Sequence, residues 1–462
     1  MKTVLTDHDT DVVEIREKNS LRRSNPISSW MKGQFGLYVT SCTHILRTVY
    51  GNTIAGRSAN HPNLTARRNK KATQEQGSVS PADKPGLYDN SSGLANPLPP
   101  SLPLKVGFLS YPMLFQNKGG LQVQVRETQA SLRRLGFNVR LIDTTQDDLA
   151  DFDIVHIFSV LHGNVKLVEQ ARAKGCQVVV SGLLNPALVV KEPLRLATVR
   201  ILEALIARVS RYKVRTDFSS IRKALANADH IIALSNWERR VASQLFGADA
   251  KRISVVSNGV SEHFFKADSV AFNAEYTIAG PFVFCPGIIS PWKNQISLVK
   301  ALVGTDITVV LAGPVHEQHP TALDDCLGVP GAKVVYLGNL DRESPVLSGA
   351  YAAASAVVLP STAESGPLVA LEALAAGTPA IITCNNGLDM QPDGRCLHTV
   401  PPFDVQVIRK TVLAVVAAHI DPEICRAAVE KMSWGQVAHQ IGDIYLNCVS
   451  HAARSNQLVA NA

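Results

Sequence analysis

Two acidic residues at a fixed spacing offer the clearest chemistry in this chain: Glu364 and Glu372, in Glu364-Ser365-Gly366-Pro367-Leu368-Val369-Ala370-Leu371-Glu372. The apolar run before them, closing at Leu359, predicts a buried strand, and the loop that follows carries Glu364. A helix is expected from near Pro367, since proline suits a first helical position, and it should stop at Gly377. At 3.6 residues per turn, Glu372 falls about one and a half turns into that helix. Its first amides would face a cleft and receive a diphosphate without a cationic side chain. The competing reading is that both acids only cap or solvate a helix.

Such a loop and helix need a sheet to hold them. From Leu104 onward, short apolar strands alternate with helical segments. Strands are read at Val106–Leu109, Val139–Ile142, Ile154–Phe158, Gln177–Val180, His230–Leu234 and Ile253–Val256. Helices are read at Val123–Leu135, stopped by Gly136, and at Val165–Ala173. After a junction near Val260–Pro281 the pattern restarts, with strands at Phe282–Cys285, Thr308–Leu311, Lys333–Tyr336, Ala356–Leu359 and Pro379–Ile382. Strands that are apolar throughout imply parallel sheets covered on both faces. The fold class is therefore α/β, with two doubly wound, Rossmann-like domains, and ligands are expected beyond the carboxyl ends of the strands.

Glu364-x7-Glu372, followed by Ala-Leu-Ala-Ala-Gly-Thr-Pro, resembles the nucleotide-sugar segment of the retaining family 4 glycosyltransferases (glycosyltransferase group 1), which have the GT-B fold. Other pieces fall in matching order: Gly119-Gly120-Leu121, Ala228 to Ser235, Val256-Ser257-Asn258-Gly259-Val260, Pro286 to Asn294, and Met432-Ser433-Trp434 with the helix after it. The resemblance spans about residues 104–448. It implies an acceptor-side domain over 104–262, a nucleotide-sugar domain over 263–430, a closing helix over 431–448 and a tail over 449–462.

The resemblance also implies roles. Glu372 would accept the ribose hydroxyls of the nucleotide, and Glu364 would sit beside the donor sugar. Lys293 would neutralise the departing diphosphate. Gly119 and Gly120 would let backbone approach the donor, Gly287 and the Gly366-Pro367-Leu368 turn would line the diphosphate, and Asn339 would contact the base through backbone groups. No metal and no cofactor is implied. The reaction would move a hexosyl group, with retention, from a nucleotide sugar to a glycan or lipid-linked acceptor in polysaccharide or glycolipid synthesis.

The chain also departs from the family. Ile288 stands where most members carry an arginine, and Gly366-Pro367 where Phe-Gly is usual. Val180-Ser181-Gly182-Leu183 replaces a segment that often holds a histidine. His162, past the end of a strand, is the candidate for that place facing the donor sugar, whereas His156 lies within the strand and reads as a core residue. These gaps keep open a catalytically weakened member that binds nucleotide sugars or serves as a scaffold. A nucleotide-sugar epimerase with the same fold is a further alternative, disfavoured by the paired acids and the closing helix.

A helix over 193–215 would gather Arg200, Arg208, Arg211 and Arg215 within about an 80° arc, opposite an apolar stripe. That face would meet an anionic membrane surface or a lipid-linked diphosphate, or else be an ordinary solvated face. The 46 Lys and Arg exceed the 39 Asp and Glu by +7, too little for a dedicated nucleic-acid binder. Residues 1–103, polar and basic and closing on Asn96-Pro97-Leu98-Pro99-Pro100, are expected to be largely disordered, apart from an element around Trp30–Ile54. No run is apolar enough to span a bilayer, and the eight cysteines form no Cys-x-x-Cys pair. A cytoplasmic protein is expected, peripheral at the inner membrane face if the arginines serve there.

Overall fold

The described strands are short, most of them apolar, and all of them pair in parallel. The computed structural model describes residues 104–116, 119–161, 163–184, 217–390 and 394–460, within the unit Ala95–Ala462, with side chains described to residue 452 in the last segment. The first sheet contains β1 (Lys105–Leu109), β2 (Asn138–Leu141), β3 (Ile154–Phe158), β4 (Gln177–Ser181), β5 (His230–Ala233) and β6 (Ile253–Val255), in the order β2-β1-β3-β4-β5-β6. The second contains β7 (Phe282–Pro286), β8 (Thr308–Ala312), β9 (Val334–Tyr336), β10 (Ala356–Leu359), β11 (Ala380–Thr383) and β12 (Leu397–Val400), in the order β12-β11-β10-β7-β8-β9.

Side-chain alternation feeds two cores in each sheet. In β3, Val155 and Ile157 join the cluster under the Val165–Ala173 helix, whereas Ile154 and Phe158 join the cluster under the long C-terminal helix. In β7, Phe282 and Phe284 point one way and Val283 and Cys285 the other. Burying one such large side chain contributes about 1.5–3 kcal/mol, so strands covered on both faces anchor each layer. The reading of two doubly wound sheets holds, and the strands fall within a residue or two of their expected places. β12 went unread because its His398 and Thr399 are only half-buried and break the apolar run.

Two local expectations are corrected. Pro367 is the N-cap of the Leu368–Ala375 helix, with extended backbone, so the first helical residue is Leu368. The C-terminal helix runs from Trp434 to Ala460 instead of stopping at 448, since no glycine or proline after 448 interrupts it. Residues 1–103 with their Trp30–Ile54 stretch, His162, and the segment carrying Arg200, Arg208, Arg211 and Arg215 lie outside the described residues.

The C-terminal helix returns from the second sheet to the first. Met432 accepts a backbone hydrogen bond from Val260 (2.7 Å), and Trp434, Val437, Ile441 and Tyr445 then pack into the first sheet's core. No described helix is long and apolar enough to cross a membrane.

Candidate active site

Three neighbouring strands of the second sheet end at glycines, and there the site begins. Gly287 follows β7 with φ 133°, Gly313 follows β8 with φ 132°, and Gly338 lies two residues beyond β9. Gly287 N–H donates to Ala312 O and Gly313 N–H to Gly338 O, so the three turns are laced together. A Cβ on Gly313 would stand 2.2 Å from Gly287 O, an impossible approach to backbone. Gly287 was singled out from sequence, whereas Gly313 was not, although a glycine closing a buried strand is a usable signal.

Beyond Gly287, Ile289 N–H donates to Pro314 O and His316 N–H donates back to Ile289 O, fixing the two loops side by side. They line a hollow of about 570 Å³ with Ile288, Trp292, His316, Asn339 and, from the first sheet's side, Gln116. Asn339 therefore faces the same space as the loop after β7. Ile288 lines it as an uncharged side chain.

One close charge contact in this region joins two of the expected residues. Lys293 Nζ donates to Glu364 Oε1 at 2.6 Å, with side-chain exposures of 25% and 13%. Both ends are pinned by backbone. Thr362 N–H donates to Trp292 O, Glu364 N–H to Asn385 O, and Gly387 N–H to Glu364 O. Asn294, in the left-handed region at φ 57°, donates from Nδ2 to Pro360 O and Pro402 O and so locks the residue next to Lys293. An ammonium has three donors, so Lys293 keeps others for a second anion.

The Leu368–Ala375 helix starts beside that pair. Leu368 is 7% exposed and belongs to the first sheet's core, where a Cβ on Gly120 would come 3.6 Å from its Cδ1. A Cβ on Gly119 would meet nothing within 4 Å. Gly366 O accepts from Asn258 Nδ2 at 3.0 Å, and a Cβ on Gly366 would crowd Leu234 Cδ1 at 2.9 Å. The turn Gly366-Pro367-Leu368 thus presses against the first sheet's loops, with Gly119 and Gly120 opposite. Asn236 N–H and Nδ2, which donate to Asp389, add a second bridge.

Glu372, expected from the sequence, stands on the same helix with partners that were not. It is 2% exposed, on a helix whose other buried residues are all Leu and Ala. Tyr351 OH donates to its Oε2 at 2.7 Å, and Arg342 Nη1 lies 2.7 Å from its Oε1. A carboxylate this deep needs such partners, because an unpaired buried charge is very costly. The Arg342 contact is close but misaligned. Glu372 Oε1 and Arg342 Nε and Nη2 are all buried without a hydrogen-bond partner. Burial is the largest influence on the Arg342 guanidinium and lowers its pKa, but the charge and contact of Glu372, with smaller help from Tyr351 and Glu127, together raise it above the ordinary arginine value. Burial, reinforced by the neighbouring Glu372, pushes the Tyr351 hydroxyl well above its usual range.

Sequence reading missed Arg342, Tyr351 and Asn258. Arg342 sits in Asp341-Arg342-Glu343, which looks like any solvated loop. Tyr351 did carry a signal: a lone tyrosine in the alanine-rich Pro345–Ala353 helix needs a partner for its hydroxyl once buried. His156 lies in the core, as read, fully buried between Tyr445 OH (2.6 Å from Nδ1) and Ser181 Oγ (2.9 Å from Nε2).

Two family models match the chain, glycosyltransferase family 4 over residues 118–264 and glycosyl transferases group 1 over residues 281–418. Among curated proteins, the chain is 34% identical over 182 residues to a D-inositol 3-phosphate glycosyltransferase of Nocardia farcinica. That match covers 36% of this chain and 40% of the relative, so it spans well under two thirds of the relative's length. Among solved structures, a sucrose-phosphate synthase from Thermosynechococcus elongatus superposes with a TM-score of 0.57 at 18% identity, over 78% of this chain and 100% of its own. HepE of Anabaena, solved in complex with UDP, gives a TM-score of 0.56 at 16% identity, over 74% and 99%. At these identities the likeness is one of fold.

Proposed function

The chain belongs to the family 4 and group 1 glycosyltransferases and has their GT-B fold, and from that premise we propose that it transfers a sugar, with retention, from a nucleotide sugar to an acceptor. The observation that carries this reading is the Lys293–Glu364 pair, 2.6 Å apart at the mouth of the Leu368–Ala375 helix. A cation, a carboxylate and a helix N-terminus converge where a glycosyl diphosphate would need all three.

The nucleotide's diphosphate lies against the loop after β7 and the first amides of the helix, where Lys293 meets the charge that grows as the sugar departs. The bond between the anomeric carbon and the diphosphate oxygen breaks. The acceptor oxygen then bonds to the same face of that carbon, and its proton passes to the departing diphosphate. Glu364 holds the sugar's hydroxyls and opposes the positive charge that develops on the ring. Asn339 and its neighbours take the base, and Glu372 takes the ribose. Cation and helix together meet the diphosphate charge, so the transfer proceeds without a divalent metal. The acceptor is a glycan or a lipid-linked molecule, held from the first sheet's side. The curated relative acts, by its name, on an inositol phosphate, which makes a phosphorylated polyol a second acceptor class to test.

The test is turnover of a panel of nucleotide sugars with EDTA present, on the wild type and on Glu364→Ala. The expected result is metal-free turnover that falls by about a hundredfold or more in the variant, the scale of losing one group that stabilises the transition state. Nucleotide binding without turnover by the wild type would favour the scaffold reading instead. Turnover restored only by Mg²⁺ would overturn the metal-free step.

A further inference from the structure

We propose that Arg342 is a placeholder for the ribose: in the empty site its guanidinium occupies the Glu372 carboxylate, and the ribose diol of the donor displaces it. The inference builds on the reading that Glu372 binds ribose. With the side chain at 3% exposure, Tyr351 OH on Oε2 and Arg342 Nη1 beside Oε1, no hydroxyl reaches Glu372 while Arg342 stays in place. Something must move, and the partners differ in what holds them.

Tyr351 is 1% exposed and wedged by its ring between Phe264 (centroids 5.3 Å) and Phe284 (5.2 Å), so it is fixed by packing. Arg342 is held less firmly. It lies on the loop between β9 and the Pro345–Ala353 helix, three residues beyond Asn339, and its side chain is 26% exposed, which leaves it a way out to solvent. Its guanidinium carbon lies 5.5 Å from the centre of the Phe264 ring, a weak hold. Nε and Nη2 make no hydrogen bonds that leaving would break, and the Nη1 contact is misaligned. Outward rotation therefore returns two buried donors to water and gives up one ion contact, so its cost is the lost pairing of Glu372, which an incoming diol restores.

The carboxylate behaves oppositely. Glu372 Oε1 lacks an aligned donor, and a hydroxyl supplies one. A diol gives two donors to one carboxylate and replaces the cation with neutral, directional bonds. Arg342 thus keeps the buried acid paired while the site is empty and competes with the nucleotide for it. The apparent affinity is lowered by the fraction of molecules in which Arg342 is seated.

The experiment is calorimetric titration of UDP and 2′-deoxy-UDP into the wild type and into Arg342→Met, Arg342→Lys and Glu372→Gln. UDP is expected to bind Arg342→Met about tenfold more tightly than wild type, while 2′-deoxy-UDP, which offers one hydroxyl, gains clearly less. Arg342→Lys retains a charge to pair the buried acid, and it should show the same direction with a smaller gain should Arg342→Met fold poorly. Weaker UDP binding in both arginine variants would make Arg342 a direct ligand and overturn the proposal, as would an unchanged preference for UDP over its deoxy form. Glu372→Gln separates the two levels. If the ribose preference survives in it, the ribose reading of Glu372 fails. If the preference falls there but the arginine variants match wild type, only the placeholder fails.

Discussion

Among the described residues, two buried tyrosine hydroxyls hold a titratable group, one in each half, and they are finished differently. On the first sheet, Tyr445 OH and Ser181 Oγ take both ring nitrogens of His156, leaving nothing unpaired. On the second, Tyr351 and Arg342 flank Glu372, yet three buried polar atoms of the pair lack partners. His156, Tyr445, Tyr351 and Glu372 are all buried, so burial alone does not distinguish the two clusters. Completeness does. A satisfied network fixes packing, here the return of the C-terminal helix onto β3 and β4, whereas an unfinished one is where a ligand has bonds to add.

The largest expected effect concerns pH. Burial lowers the His156 pKa from its ordinary 6.5 to about 3, so the ring is neutral in the folded protein. The stability this contributes is present above pH 6.5 and is lost as pH falls toward 3. Between pH 7 and pH 4 the stability advantage of wild type over His156→Gln should shrink by about 3 kcal/mol, read from urea denaturation at both values. An advantage that stays constant with pH would mean that the ring is not neutral and sealed.

A second test compares the two tyrosines directly. Tyr445→Phe leaves a buried ring nitrogen unpaired and should cost about 1–3 kcal/mol of stability with nucleotide affinity unchanged. Tyr351→Phe acts on the Glu372 carboxylate and should shift nucleotide affinity by about threefold or more. If both variants leave affinity alone, the contrast between the two clusters is lost.

The smallest effect sharpens the structural side. The Phe158 and His156 rings stack with centroids 4.1 Å apart. Phe158→Leu should cost about 0.5–1.5 kcal/mol beyond the lost area, seen in thermal melts, without altering nucleotide binding. A change in binding would extend the site across the first sheet.

The strands and the acidic pair were legible because their information is local. Val-, Ile- and Leu-rich runs of four or five residues, separated by helical spacing, can only be buried parallel strands, and β3 and β10 begin and end as read. The Lys293–Glu364 contact was also foreseeable as a shared location, since each residue follows a strand end on the same edge of one sheet. β12 and the full length of the C-terminal helix were not, because half-buried polar residues and a missing stop signal leave no periodic mark.

What the sequence determined by itself is the frame: two doubly wound sheets, and a carboxylate on the inner face of the helix that follows β10. What only the tertiary structure decided is the company each charge keeps. Arg342 reaches Glu372 from a loop thirty residues earlier, and Tyr445 reaches His156 across 289 residues. Spacing along one chain segment fixes direction through the helical and strand repeats. The partner of a buried charge is chosen instead by which distant segments the two cores bring within a hydrogen bond's length, and no local pattern carries that information.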